Sequence, residues 1–381
     1  MEPRFLKTNK NVDIILIVFF LAVLWIPMAG MVFGFESDIE EQEKRKLAEM
    51  PEFTASSILR APFRKDFDEY FSDNFGFRSI LVHAGSLLHV GLLKSSPTHQ
   101  VVIGKDDWFF FGGGNVIDDF RGAIPLTDRE LKSIKDNIEQ QRELLANQGI
   151  DFYILVSPNK TSIYPEFLPS NIEKVGEQTR LDQIVTHLSE HSDFVIIDPR
   201  EKLIKIKEKN FAYEKTGTHW NEYGAFVAYS ELINEVRKNY PNIPAPDINN
   251  FELRTEIVGG SDLAILLSLQ NQKQDELVYV DPFTPRIAQD ASVAFENPNP
   301  NPVMPLVAKE VANNELPHAL IFRDSFTNHL IPYLSEDFSR SVYVWMYKID
   351  PEIVELEKPD IVILEVSERN LFQALYSDIK Q

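Results

Sequence analysis

Residues 319–326, A-L-I-F-R-D-S-F, constrain the fold more than any other stretch, because an apolar run of strand length stops abruptly at Arg323, Asp324 and Ser325. Such a run reads as a buried strand, and the Ser325 hydroxyl stands where that strand leaves its sheet. In open α/β sheets the carboxyl ends of the strands form the crevice where ligands bind. One histidine, His219, lies upstream in a polar turn just before a helical pattern. A serine and a histidine supply a nucleophile and a base.

From Thr127 onward, helix-length and strand-length segments alternate. Thr127 with Glu130 three residues on forms a capping box that opens a helix running to about Asn147. Strands are predicted at 152–157, 194–198, 319–322, 341–346 and 360–366, and helices at 180–191, 222–239 and 326–338. This order makes right-handed β-α-β units and a parallel sheet with helices on both faces. Upstream, residues 63–77 carry a helix-period aromatic stripe ended by Gly76, residues 79–93 continue as a second amphipathic helix, and residues 101–111 read as a hairpin. The triplet Gly112, Gly113, Gly114 lacks P-loop spacing and reads as a turn. Between Tyr240 and Pro317 proline is frequent and the pattern fails, which predicts an insertion (240–317) of loops and a few edge strands between the histidine and the serine. Within it, Ser261 or Asp262 caps a short helix. The insertion could roof a cleft.

The chain has 381 residues, enough for two domains or one with insertions. Its net charge of −20 argues against nucleic acid as partner. The absence of cysteine excludes disulfides, thiolate metal sites and cysteine nucleophiles. No H-E-x-x-H, paired-histidine turn or calcium loop is present, so no metal and no cofactor are predicted.

Residues 14–35 contain no charged side chain and are long enough for a helix to span the hydrocarbon core of a bilayer. Arg4, Lys7 and Lys10 precede the run and Glu36, Asp38, Glu40, Glu41 and Glu43 follow it, so the positive-inside tendency keeps the N-terminus cytoplasmic and sends the rest across. A cleaved signal peptide is the alternative, disfavoured by the long run and by a poor cleavage site around residues 32–35. The predicted organisation is a cytoplasmic N-terminus (1–13), a transmembrane anchor (14–35), a juxtamembrane linker (36–60) and an extracytoplasmic domain (61–381).

Three strings carry a family resemblance: T-x-T-H-W-N-x-x-G-A at 216–225, D-S-F at 324–326 and G-K-D-x-W-F-F at 104–110. Supporting strings are Y-F-x-D-x-F-x-x-R at 70–78, P-x-K-x-x-I-Y-P at 158–165, G-x-D-L-A at 260–264 and P-D-I-V-x-x-x-x-x-E-R at 359–369. In this order they resemble the AlgX/AlgJ-type family of SGNH hydrolase-like proteins, which O-acetylate alginate and related exopolysaccharides. The resemblance implies a flavodoxin-like SGNH domain tethered at the inner membrane and facing the periplasm. It also implies a multispanning membrane acyltransferase as partner and an exopolysaccharide as substrate.

Carried over by position, Ser325 matches the nucleophile and His219 the general base. Backbone N–H groups after Ser325 are expected to stabilise the oxyanion, with Asn159 and Lys160 as side-chain donors at the same cleft. The family usually places an aspartate two residues before the histidine, where this chain has Gly217. Asp198, Glu214 or Glu222 could orient the ring instead, or a backbone carbonyl. A second reading follows from Gly217, namely a polysaccharide-binding or assembly subunit that keeps the fold without efficient catalysis. Arg323 stands where these folds often carry glycine, and could bind a substrate carboxylate or the oxyanion, or form an ion pair with Asp324 or Glu365. Trp220 and Tyr223 are candidates for stacking on sugar rings or for core packing. His318 and His329 are rival bases. An anionic polymer would require a local basic groove, for which Lys160, Lys215 and Arg323 are the candidates.

Overall fold

The computed structural model describes residues 10–32, 47–54 and 61–376. Residues 33–35 of the predicted span, its acidic flank, Arg4 and Lys7, and most of the linker lie outside the described residues. The chain divides into two compact units: residues up to Pro97 with Ile265–Leu269, and Thr98–Ala264 with the residues from Gln270 onward.

In the first unit, α1 (Lys10–Val32) is the helix among the described residues that is long and apolar enough to cross a membrane by itself. Its apolar side chains stand exposed along nearly the whole length. Next, α2 (Ala61–Asp73) carries the aromatic stripe, with Phe63, Phe67 and Phe71 stacked in succession. After a bend of 73° the chain continues as α3 (Arg78–Ser86), which passes into a wider π-helical turn over Leu87–Leu93.

The second unit begins with a hairpin of β1 (Val101–Ile103) and β2 (Phe109–Phe111). Then α4 (Asp128–Ala146) opens with the predicted capping box, Thr127 accepting from the Glu130 N–H while Glu130 accepts from the Thr127 N–H. There follow β3 (Asp151–Ser157), α5 (Arg180–His191) and α6 (Glu222–Val236). The insertion holds a hairpin of β4 (Phe251–Gly259) and β5 (Gln274–Pro282), paired over nine residues, with α7 (Asp262–Leu266) in its connecting loop. The remaining elements are β6 (Gln289–Asp290), β7 (Val307–Glu310), β8 (His318–Arg323), β9 (Arg340–Trp345), α8 (Pro351–Glu357), β10 (Ile361–Ser367) and α9 (Leu371–Leu375).

Six strands form the main sheet in the order β3-β10-β8-β9-β7-β6. The first four are parallel, whereas β7 and β6 from the insertion add an antiparallel edge, so the sheet is mixed where the sequence predicted parallel strands. Successive residues point to opposite faces. Ala319 and Ile321 of β8 enter one core with α6, while Leu320 and Phe322 enter the other, with α4 and α5. β3 and β10 divide in the same way, which is why these strands read as unbroken apolar runs.

Two predicted elements are shorter than expected. Residues 194–198 make a single parallel bridge, Ile197 to Leu155, because Asp198 turns back onto the Arg200 N–H and Pro199 ends the extended run. The helix predicted over 326–338 splits into a 3-10 turn, Ser325–His329, and a short helix, Ile331–Leu334, with Pro332 in its first turn.

Phe322 is fully buried at the centre of the sheet, so Phe322→Ala is expected to destabilise the chain by about 3–5 kcal/mol. Val195→Ser, at a position 65% exposed, is expected to change stability by less than about 0.5 kcal/mol. Denaturant unfolding of the two variants checks both values.

Candidate active site

Parallel pairing sets the level of the site. Phe322 of β8 pairs with Leu364 of β10, and Ser367 of β10 pairs with Ser157 of β3. Ser325, three residues past Phe322, therefore emerges level with the carboxyl ends of β10 and β3. The turn that presents it is braced by buried carboxylates. Asp324 accepts hydrogen bonds from the N–H groups of Phe326 (2.9 Å) and Ser367 (2.9 Å). Glu365 accepts from the Asp324 N–H (3.0 Å), the Thr327 hydroxyl (2.6 Å) and the Ser157 hydroxyl (2.5 Å). Burial, and then the neighbouring Asp324 carboxylate, pushes the Glu365 carboxyl well above the usual range.

The histidine arrives on a closed turn. Tyr213 bridges Trp220, the Glu214 N–H donates to the His219 carbonyl (3.0 Å), and the Asn221 N–H donates to Ala212 (3.0 Å). The Asn221 side chain then caps α6 by accepting from the Gly224 N–H. Three of the turn's carbonyls, those of Glu214, Lys215 and Gly217, converge on the buried ammonium of Lys160. That ammonium also lies 5.5 Å from the centre of the Trp108 ring and 5.3 Å from that of Phe110. Burial lowers the Lys160 pKa to about 8 against the opposing pull of Asp262, Asp275 and Glu214. Lys160 thus holds the histidine turn, and its three N–H donors are not aimed at an oxyanion.

The two segments meet. His219 Nε2 lies 2.8 Å from Ser325 Oγ, and the ring packs 4.8 Å, centre to centre, from Phe326. On the far side of the ring Nδ1 lies 3.0 Å from Thr218 Oγ1 and 3.4 Å from Asp262 Oδ2. The Thr218 hydroxyl donates to Asp262 Oδ2 (2.5 Å) and its N–H to Oδ1 (2.8 Å). Because the threonine proton is committed to Asp262, Thr218 Oγ1 is left to accept from Nδ1–H. That fixes the tautomer in which Nε2 is free to accept the serine proton. Burial by itself would raise the Asp262 pKa, but the hydrogen bonds and charge of His219, with those of Thr218, hold it down at about 2. The acid is therefore ionised beside the ring.

Asp262 stands where an orienting carboxylate would, a residue legible in the sequence only as a candidate helix cap. Its signal was the string G-S-D-L-A at 260–264, which spacing alone could not bring to a histidine more than forty residues away. The candidates named for that role sit otherwise. Asp198 pairs with Arg200 at 2.7 Å, and Glu222 accepts from the Val280 N–H at 2.9 Å. Glu214 is close to the ring on another side: a Cβ on Gly217 would fall 1.7 Å from its Oε2, so its carboxyl fills the space that a side chain at 217 would take. Burial, followed by the Asp262 and Asp275 carboxylates and against the pull of His219, raises Glu214 to about 7. Among the described residues, Glu214, His219 and Asp262 are the group whose ligand atoms, within 4.8 Å of one another, could hold a metal ion. The Thr218 bonds to both Asp262 oxygens and the Ser325 contact of His219 join two of the three in a hydrogen-bonded chain, with the Glu214 carboxyl beside it.

Several other predicted site residues serve the scaffold. Arg323 is fully buried, with its guanidinium donating to Asn328 Oδ1 (2.8 Å) and the carbonyls of Pro305 (3.0 Å) and Asp324 (3.2 Å), and lying 4.7 Å over Trp345. It can reach no ligand, and its partners are an amide and carbonyls where ion pairs to Asp324 or Glu365 were expected. Trp220 is fully buried and donates its Nε1–H to the Phe326 carbonyl (3.1 Å), tying the histidine turn to the serine turn. Tyr223, in the first turn of α6, packs against the core. His318 lies at the start of β8, at the opposite end from Ser325, 3.4 Å from Glu357. The ring of His329 is held well below the usual histidine range, to about 4, by burial and then by the charge of His219. The Phe326 N–H, expected to serve the oxyanion, is taken up by Asp324.

Two polar residues stand just past the carboxyl ends of β3 and β10. Asn159 follows β3, is buried, and donates its N–H to Glu368 (2.7 Å), while its side chain makes no capping bond to the short helix that it precedes. Arg369, at the end of β10, lies half-buried 5.4 Å over the Phe326 ring. It sits in the E-R pair at 368–369 that the sequence analysis quoted without giving it a role. Lys215 is half-buried, with its side chain in no ion pair among the described residues.

The family model for the SGNH hydrolase-like domain of the acetyltransferase AlgX matches residues 101–307. A probable alginate O-acetylase AlgJ of Pseudomonas syringae pv. tomato is 22% identical over 233 residues, 61% of this chain and 54% of the relative. The chain thus spans about half the length of that relative. Among solved structures, PatB1 of Bacillus cereus superposes with a TM-score of 0.50 at 18% identity, covering 70% of this chain and 95% of that one. A DHHW family protein of Eubacterium siraeum superposes with a TM-score of 0.51 at 16% identity, covering 74% and 94%. These two neighbours support the fold. With the family model matching over half of its length, the chain belongs to the AlgX-type family of SGNH hydrolase-like domains.

Proposed function

We propose that this chain is a membrane-anchored, extracytoplasmic O-acetyltransferase, or acetylesterase, that acts on an exopolysaccharide through an acetyl-serine intermediate. The observation that carries the reading is the chain of contacts from Ser325 Oγ through His219 to Thr218 and Asp262. Ser325 attacks the acetyl carbonyl as His219 Nε2 takes its proton, forming a tetrahedral intermediate. His219 returns that proton to the leaving oxygen, the bond to the donor breaks, and the acetyl group stays on Ser325. A polymer hydroxyl then attacks, gives its proton to His219, and leaves as the acetyl ester while Ser325 is reprotonated. Water in the same position gives hydrolysis. Asp262 stabilises the imidazolium formed in each half. The Asn159 amide is the proposed oxyanion donor.

Gly217 was the ground for reading the chain as a binding or assembly subunit. Asp262 supplies the carboxylate that Gly217 does not, which favours catalysis. The similarity to probable alginate O-acetylases makes alginate the first polymer to assay. Of the three cations proposed for a basic groove, Lys160 and Arg323 are occupied in the interior, which leaves Lys215; Arg369, not among the three, is a further cation beside Phe326 that could meet a polymer. The apolar α1 supports an anchor, and Arg4, Lys7 and Lys10 before it support a cytoplasmic N-terminus. The acetyl group would come from a multispanning membrane acyltransferase.

Turnover of a chromogenic acetyl ester tests the mechanism. Ser325→Ala is expected to abolish it, Asp262→Asn to lower kcat by up to roughly 10⁴-fold, and Asn159→Ala to lower kcat by roughly 10²–10³-fold. Wild-type activity that survives in Ser325→Ala would overturn the assignment.

Glu214 adds a pH dependence to stability. Its carboxyl loses its proton at about 7 in the folded chain against 4.5 ordinarily, so the folded state holds a proton that the unfolded state gives up in that window. Stability is therefore lost as pH rises from about 4.5 to about 7. Glu214→Gln should gain on the wild type across the same window by up to about 3 kcal/mol. Denaturant unfolding at several pH values gives this difference, and a pH-independent one would contradict it.

A further inference from the structure

The helix that follows the elbow at Gly76 is inside out. Over residues 79–93 the positions turned into the protein are Ser79, His83, Ser86 and Val90, a four-three-four spacing that forms one helical stripe. Ser86 and Val90 are buried, and His83 Nδ1 lies 2.6 Å from the Ser268 carbonyl oxygen. The outward face is aliphatic: Ile80, Leu81, Leu87, Leu88, Leu92 and Leu93 are 43–73% exposed. No Asp, Glu, Lys or Arg occurs in the stretch, and Arg78 and Lys94 flank it. A water-facing helix carries its polar residues outward; here small and polar residues face in and leucines face out.

The placement of this face indicates what covers it. The elbow packs backbone to backbone on α1 near the C-terminal end of that helix. A Cβ on Gly76 would lie 2.2 Å from the Pro27 carbonyl oxygen and 2.6 Å from the Met31 nitrogen, and one on Gly30 would lie 2.8 Å from the Phe77 ring. The apolar surface of α1 and that of residues 80–93 therefore belong to one body and meet at the level where α1 leaves the hydrocarbon. By contrast α2, which departs from this segment at 73°, carries Arg64, Lys65, Asp66, Asp68 and Glu69. A protein interface mixes aromatic and polar groups at its rim, whereas this face is aliphatic but for His89 at its edge, which contacts Ser95, and lies between two cations, the pattern of a helix lying in a lipid headgroup boundary.

We propose that residues 79–93 form a second membrane contact, an interfacial helix that rests its Leu87–Leu93 side on the outer leaflet beside α1. The proposal rests on the anchor reading given above. Because the chain lacks cysteine, single-cysteine variants of the full-length protein can carry an environment-sensitive fluorophore in phosphatidylcholine vesicles. Leu88→Cys and Leu92→Cys are expected to give blue-shifted emission that doxyl-labelled lipids largely quench. Glu69→Cys on α2 is expected to stay in water, and Leu21→Cys reports on the anchor. Quenching at 88 and 92 with none at 69 supports the proposal. A quenched label at 21 with water-exposed labels at 88 and 92 would overturn it while leaving the anchor intact, and would hand this face to a protein partner. An unquenched label at 21 would remove the anchor and this proposal with it. Each substitution replaces an exposed side chain, so folding is not at risk.

Discussion

Two threonines, Thr216 and Thr218, hold the candidate site together. Each uses its N–H and its hydroxyl on the same carboxylate, Thr216 on Asp275 (2.7 and 2.5 Å) and Thr218 on Asp262 (2.8 and 2.5 Å). The Ser261 N–H then donates both to Thr216 Oγ1 (2.8 Å) and to Asp275 (2.9 Å), and the Leu263 N–H donates to the Thr216 carbonyl (3.1 Å). The histidine turn and the loop of the inserted hairpin are thereby stitched along both edges. Hydrogen bonds to ionised groups are short and about twice as strong as neutral ones, so the position of Asp262 relative to the ring does not depend on the long 3.4 Å contact alone.

The same economy governs the other half of the site. A serine at the end of a strand would be a flexible cap were its turn not tied to neighbouring strands. Asp324 and Glu365 supply those ties, and a carboxyl raised in pKa by burial and then by its neighbour can remain protonated and share hydrogen bonds with hydroxyls at low desolvation cost. Lys160 solves the converse problem. Three carbonyls of the histidine turn point inward where water is excluded, and one ammonium has three donors to meet them. The aromatic rings of the β1–β2 hairpin cover its remaining surface. An early hairpin with no catalytic group of its own is in this way coupled to the position of His219.

The sheet was legible because its strands are buried on both faces, which leaves continuous apolar runs, and because capping chemistry is local. Thr127 with Glu130 is read within four residues. Ser325 and His219 were legible as residue types set in turns. What sequence reasoning lacked was every contact that depends on tertiary return of the chain: the antiparallel β7, the removal of Arg323 into the interior, and the approach of Asp262. Trp220 shows the same limit, since an indole in a polar turn reads as a sugar platform or as core packing until its N–H is seen to donate to Phe326. Spacing reports what a segment can form, and burial decides what it touches.

Gly217 then takes on a different meaning. At 217 the backbone runs so close to the Glu214 carboxyl and to the Cβ of Ser261, 2.8 Å from where a Cβ would begin, that any side chain would push the stitched loops apart. Where an aspartate at this position would orient the ring from within the turn, the present chain brings the carboxylate from the insertion and keeps 217 small so that the insertion can dock. Under the proposed mechanism the β4–β5 hairpin belongs to the acid–base apparatus, because its nine paired residues and the loop at its tip set where Asp262 stands. Loosening that hairpin far from Ser325 would disturb the tautomer of His219 before it disturbed the serine.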